Sequence, residues 1–123
     1  MKQLFIILAF LALTFSLRAQ IAEVKVDGSY AKIYNDKGQY TGNSVYLGSN
    51  TLEGYNSNYI VVNDGSYAKL YNDKGNYTGN SIYLGSNTIK HISQSAILVK
   101  DGSYVKYYDF NGRYTGNSTY EPK

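Results

Sequence analysis

Three sets of side chains recur along this chain at a constant separation of 37 residues, and tyrosine dominates each. Tyr30, Lys32, Tyr34, Tyr40 and Tyr46 form the first set; Tyr67, Lys69, Tyr71, Tyr77 and Tyr83 the second; Tyr104, Lys106, Tyr108, Tyr114 and Tyr120 the third. Rings grouped around one ammonium suit recognition. Their faces offer flat apolar surface for stacking, while the hydroxyls and the cation supply hydrogen bonds.

The same sets do not suit bond breaking. A hydroxyl or thiol nucleophile needs a positioned base beside it. The single histidine, His91, has Gly54 as its counterpart one repeat earlier, and Glu23, Glu53 and Glu121 are not repeated either. The carboxylates that do recur, Asp27, Asp64 and Asp101 with Asp36 and Asp73, sit in turn motifs. There is no cysteine and no Asp-x-Asp loop, so ligand spacings for zinc or calcium are lacking. The expectation is a protein that is not an enzyme, with no catalytic residue, metal or cofactor.

The repeat extends well beyond the aromatic sets. Asp27-Gly28-Ser29-Tyr30 returns at Asp64 and at Asp101, and Tyr40-Thr41-Gly42-Asn43-Ser44 returns at Tyr77 and at Tyr114. From Asp27 to Thr51 the first copy differs from the second only at Ile33/Leu70, Gln39/Asn76 and Val45/Ile82. A fixed period of this size signals an array in which each unit buries its apolar face against the next.

Each copy reads as short strands separated by turns. Tyr59 to Val62 is rich in β-branched residues and runs into Asn63-Asp64-Gly65-Ser66. Asp-Gly between apolar runs predicts a two-residue hairpin of type I′, with Val62 opposite Tyr67 and Val61 opposite Ala68. The strand from Tyr67 ends at Asn72-Asp73-Lys74-Gly75, a pattern for a type I turn closed by a glycine bulge. A third strand covers 77–84 and a fourth 88–92. Only one proline is present, Pro122, and no long helical period follows Ala19, so the fold class expected is all-β. The units run over about 24–60, 61–97 and 98–123, each an antiparallel group of four strands. Alternation then places Val61, Ala68, Leu70, Ile82 and Leu84 on a buried face and Tyr67, Lys69, Tyr71, Tyr77 and Tyr83 on the other.

Two roles are open for the tyrosine plates. They can cover the neighbouring unit, with the lysine stem lying along the rings. Alternatively, plates with no neighbour stay exposed and bind a ligand, which directs attention to the end units: Lys32, Tyr34 and Tyr40 in the first, Lys106, Tyr108 and Tyr114 in the last.

The stretch from Ile97 to Tyr108, with its Asp101-Gly102 turn, followed by Tyr108-Asp109-Phe110-Asn111-Gly112, resembles a blade of a β-propeller. The resemblance is generic and covers residues 20–120. It implies four-stranded blades around an axis, but three units are fewer than the four to eight of such rings. Eleven strands rather than twelve are expected, with unmatched ends. A homo-oligomer in which two chains complete the array by two-fold symmetry would resolve this. A β-trefoil and an open β-stack with free edges are the alternatives.

The first residues belong to targeting rather than to the fold. Lys2, the apolar stretch Leu4 to Leu13 and the small Ala19 have the form of a secretory signal peptide, leaving 20–123 as one domain. The chain's net charge is +3; without Lys2 and Arg18 ten basic residues face nine acidic ones. That near-neutrality removes the case for a nucleic-acid partner, and no membrane span is expected in the processed chain. Export without disulfides fits a bacterial protein that is secreted, periplasmic or on the cell surface. The function expected is a non-catalytic binding module for a glycan or a protein, the alternative being a structural, self-assembling surface or matrix protein.

Overall fold

A computed structural model of the chain describes residues 20–122, so the expected signal peptide lies outside the described residues. Eleven strands follow one another: β1 (Glu23–Asp27), β2 (Tyr30–Tyr34), β3 (Tyr40–Tyr46), β4 (Thr51–Tyr55), β5 (Tyr59–Asn63), β6 (Tyr67–Asn72), β7 (Tyr77–Tyr83), β8 (Thr88–Ile92), β9 (Ile97–Asp101), β10 (Tyr104–Tyr108) and β11 (Tyr114–Tyr120). They form three antiparallel meanders, β1-β2-β3, β4-β5-β6-β7 and β8-β9-β10-β11. The all-β expectation holds. Among the described residues the sheets stay separate and close no barrel, which removes the trefoil.

Sheet boundaries fall inside the sequence units rather than between them. β4 and β8, expected as the fourth strands of their copies, pair instead with β5 and β9 of the following copy. The first sheet therefore has three strands and the others four.

The first hairpin of each copy is offset by two residues from the expected register. Val62 faces Lys69 and Val61 faces Leu70, and in the outer copies Asp27 faces Tyr30 and Asp101 faces Tyr104. The loop is therefore Gly-Ser, not Asp-Gly. Only glycines have positive φ here, Gly28 at 62° and Gly102 at 61° in the outer copies and Gly65 at 107° in the middle one. The outer copies have the pattern of a type II′ turn, which needs positive φ at its first central residue alone; in the middle copy Asp64 Oδ1 accepts from Ser66 N and Tyr67 N instead. Because side chains alternate with a period of two, the shift leaves every residue on its expected face.

The second hairpin matches its turn but carries a further bulge. Asn72 Oδ1 accepts from the backbone N–H groups of Lys74 and Asn76 at 2.9 and 3.0 Å, and Gly75 closes the turn at φ 81°. Beyond Tyr71 opposite Tyr77, the register shifts so that Lys69 faces Ser81. Gly79, at φ 89°, and the Thr78 hydroxyl, which donates to Leu70 O at 2.9 Å and accepts from Asn80 N at 3.2 Å, hold this bulge. Two extra residues again preserve the faces, so Tyr77 and Tyr83 stay together.

The sheets stack face to face. Val24, Ala31, Ile33, Val45 and Leu47 of the first sheet pack against Ile60 and Val62 of the second. The opposite face of the second, Val61, Ala68, Leu70, Ile82 and Leu84, packs against Ile97 and Val99 of the third. β5 is thus enclosed on both sides, with Ile60, Val61 and Val62 all fully buried. The β6–β7 turn meets the first sheet so closely that a Cβ on Gly75 would lie 2.3 Å from Ser44 O; Gly112 repeats this against Ser81 O at 2.5 Å.

Candidate functional site

Correct register brings a fixed set of groups onto one face of every sheet. In the first sheet the Tyr30 and Tyr46 rings meet edge to face at 5.3 Å, and Tyr34 and Tyr40 meet at 5.8 Å. Lys32 lies between the pairs, its Nζ 5.4 Å from the Tyr40 ring centre and 2.7 Å from Asp27 Oδ2. The second sheet repeats this with Tyr67–Tyr83 at 5.3 Å, Tyr71–Tyr77 at 5.6 Å and Lys69 at 5.7 Å from Tyr77. The third has Tyr104–Tyr120 at 5.5 Å, Tyr108–Tyr114 at 5.6 Å and Lys106 at 5.7 Å from Tyr114.

The structure brings the six candidate residues together in two triads: Lys32, Tyr34 and Tyr40 in one, Lys106, Tyr108 and Tyr114 in the other. Their surroundings differ within each triad. Tyr40 and Tyr114 are exposed, whereas Tyr34 and Tyr108 are half-buried. Tyr108 and its counterpart Tyr71 brace the sheet junctions. Tyr34 has no sheet to brace, and Lys25 Nζ sits 4.9 Å over its ring instead.

The distinction expected between middle and end plates is absent. Tyr40, Tyr77 and Tyr114 are 46, 46 and 44% exposed, and Tyr46, Tyr83 and Tyr120 are 63, 66 and 63% exposed. Among the described residues the first plate has no sheet in front of it and the second does, yet these exposures are nearly equal. The first sheet is seated on Ile60, Val62 and Tyr71, and the other tyrosines of the middle plate stay exposed. The middle plate is a surface like the others.

Asp27, Asp64 and Asp101 belong to the plate, which sequence reasoning missed by assigning them to turn geometry alone. Asp27 sits opposite Tyr30, and Lys32 is two residues farther along the same face, within diagonal cross-strand reach. The hydrogen bond and charge of Lys32 hold the Asp27 carboxyl below the ordinary carboxylate range, and Asp27 in turn raises Lys32. Asp64 is lowered first by the backbone N–H groups of Tyr67 and Ser66, then by Lys69, which it raises. Lys106 is raised by Asp101, 2.7 Å away. Each lysine thus stays charged and each is neutralised within its own plate.

Elsewhere, His91 is exposed on β8 opposite Leu98, and Glu53 Oε2 accepts from Asn63 Nδ2 at 3.1 Å. Among the described residues no three His, Cys, Asp or Glu side chains gather into a metal-binding group, and no helix is long and apolar enough to cross a membrane. The arrangement can stack planar or ring-shaped groups, donate from tyrosine hydroxyls and lysine, and accept at the carboxylate. Comparison of the chain with protein-family models, with curated proteins and with solved structures finds no match in any of the three.

Proposed function

We propose that this is an exported, non-catalytic binding module that holds a glycan on its tyrosine faces. One observation carries the reading: three tyrosines of each plate, Tyr30, Tyr40 and Tyr46 with their equivalents, are exposed to nearly the same degree whether or not a described sheet stands in front of them. Their exposure therefore contributes little to packing, and grouped exposed aromatics on a folded surface are a mark of recognition. Ring faces match the apolar C–H faces of pyranoses, and the Lys–Asp pair between them offers a donor and an acceptor to sugar hydroxyls.

Each sheet is read as a propeller blade, with β4 and β8 innermost and β7 and β11 outermost. The polar outer faces of the stack favour a discrete module over an assembling one. Glu23 and Lys25 stand at the register of Ile60 and Val62, and Thr119 and Glu121 at that of Ile82 and Leu84. A further sheet on either face, from this chain or a second copy completing a ring, would have to bury those charges.

Titration calorimetry of the processed protein against neutral oligosaccharides tests the reading. Tyr40→Ala, Tyr77→Ala and Tyr114→Ala should each weaken binding with little change in melting temperature. Loss of folding in step with loss of binding would return these residues to a packing role.

A further inference from the structure

Resting on the glycan reading, we infer that the three plates act together as one polyvalent site for a single chain of a linear, uncharged polysaccharide. Three observations select that ligand.

The plates are copies in the same orientation. In every sheet the tyrosines lie on the face that carries Ile60 and Val62 in the second sheet and Ile97 and Val99 in the third, the face turned toward the preceding sheet. Face-to-face sheets stand about 10 Å apart, so the stack presents one chemical motif repeatedly along one direction. A polymer whose units also repeat head to tail fits such a row. A compact protein surface has no reason to present three equal patches in that order.

Ring geometry, and the exposure of the tyrosines left uncovered, are nearly equal across the row. Ring separations agree within 0.2 Å between equivalent pairs, as in 5.3, 5.3 and 5.5 Å for the outer pairs. Equal sites imply equal intrinsic affinities, the condition under which linking ligands gains most. Joining epitopes into one chain can raise affinity about 10²–10⁴-fold without any new contact.

Charge decides the class of polymer. Lys32, Lys69 and Lys106 pair with Asp27, Asp64 and Asp101 at 2.7, 3.2 and 2.7 Å, so each plate is neutral as a unit. In the first plate Lys25, over the Tyr34 ring, also has a carboxylate beside it, Glu23 at 3.9 Å; an acidic polysaccharide or a nucleic acid therefore meets cations already paired, whereas sugar hydroxyls use both partners of the ion pair.

The test uses the processed chain with uncharged linear glucans, mannans and xylans, each as the polymer and as oligosaccharides of graded length. Affinity for the matching sugar should rise at least 100-fold from oligomers that reach one plate to chains that reach all three. Tyr46→Ala, Tyr83→Ala and Tyr120→Ala change highly exposed rings, so folding is retained. Each single variant should keep short-oligomer affinity within about twofold and lose at least tenfold for the polymer. Equal affinity for short and long chains would overturn the polyvalent site while leaving glycan binding intact. Absence of binding to every glycan would sink both, as would capture of poly-L-proline or of an acidic polysaccharide in their place.

Discussion

β1 and β5 occupy the same register in their copies and meet different surroundings. β1 reads Glu-Val-Lys-Val-Asp and buries only Val24, while β5 reads Tyr-Ile-Val-Val-Asn and buries its three central residues. The cause is position in the stack. β5 has a sheet on each side, and β1 has one side in water. The third sheet shows the mirror case, where Glu121 takes the place of Leu84 and binds Lys90 and Lys100 across the outer face. Near-identical repeats thus differ most where one copy faces a neighbour and the other faces solvent. The plate tyrosines that stay exposed in all three copies hardly differ.

Exchanging those residue types should give the largest effect. Leu84→Glu places a charge at a site 3% exposed with no partner; such a change costs on the order of 4–5 kcal/mol or more, enough to unfold a small domain. Glu121→Leu, at the equivalent register, should alter stability by no more than about 0.5 kcal/mol and promote concentration-dependent association through its new apolar face. Urea denaturation and sedimentation would check both. Comparable losses in the two variants would mean that the outer face is no cap.

The turns give a second contrast with an internal control. Gly38, Gly75 and Gly112 all lie between φ 74° and 81°, so alanine is strained at each by about 1–2 kcal/mol. A Cβ on Gly38 meets nothing within 4 Å, but on Gly75 or Gly112 it meets a backbone carbonyl of the preceding sheet. Gly75→Ala should therefore cost at least about twice what Gly38→Ala costs, since main chain must move. Equal losses would show that the turn is not seated on β3.

Much of this was legible in the residues. Alternation in β6 and β7 marked the faces, and Asn72 to Gly75 marked a turn. The tyrosine–lysine grouping followed because a register error of two residues leaves faces unchanged. That error arose because Asp-Gly and Gly-Ser both offer a glycine for positive φ, and pattern alone does not choose between them. It also hid Asp27 as the partner of Lys32. Gly79 inside a strand was a usable sign of the bulge. Sheet membership was not legible, because alternation says which face is apolar but not which strand lies alongside. Burial of the middle plate was expected from sheets stacking flush. The unbroken Ile60-Val61-Val62 run was the sign that the cover falls on β5 instead.

A smaller effect separates the two junctions. Tyr59 and Phe110 stack at 4.9 Å, 8° from parallel, between the second and third sheets. Their counterparts at the first junction are Ala22 and Asp73. A double-mutant cycle on Tyr59→Ala and Phe110→Ala should return a coupling of about 0.5–1.5 kcal/mol. Native-state hydrogen exchange should show β2 and β3 opening before β10. A cycle that closes to zero would leave the junctions energetically alike.

The smallest effect is the pH dependence contributed by exposed ion pairs. Asp27, Asp64 and Glu121 all have carboxyls held below the ordinary range: by Lys32, by the backbone N–H groups of Tyr67 and Ser66, and by Lys90. For such groups the unfolded chain takes up protons first. Their stabilisation is complete above the ordinary carboxylate range and is lost as pH falls through that range into the depressed one. Lys32, Lys69 and Lys106 are raised, so their share is complete below the ordinary lysine range and fades as pH rises through it. The melting temperature should be flat near neutrality and fall at both extremes. Glu121→Gln removes the end-face share and Asp27→Asn the first plate's, so each should flatten the acid limb while leaving the neutral plateau nearly unchanged. Solvent and salt screen both pairs, so each change should stay small. An acid limb identical to wild type in the double variant would show that these carboxylates carry none of it, and that the end faces are capped by exclusion of apolar groups rather than by ion pairing.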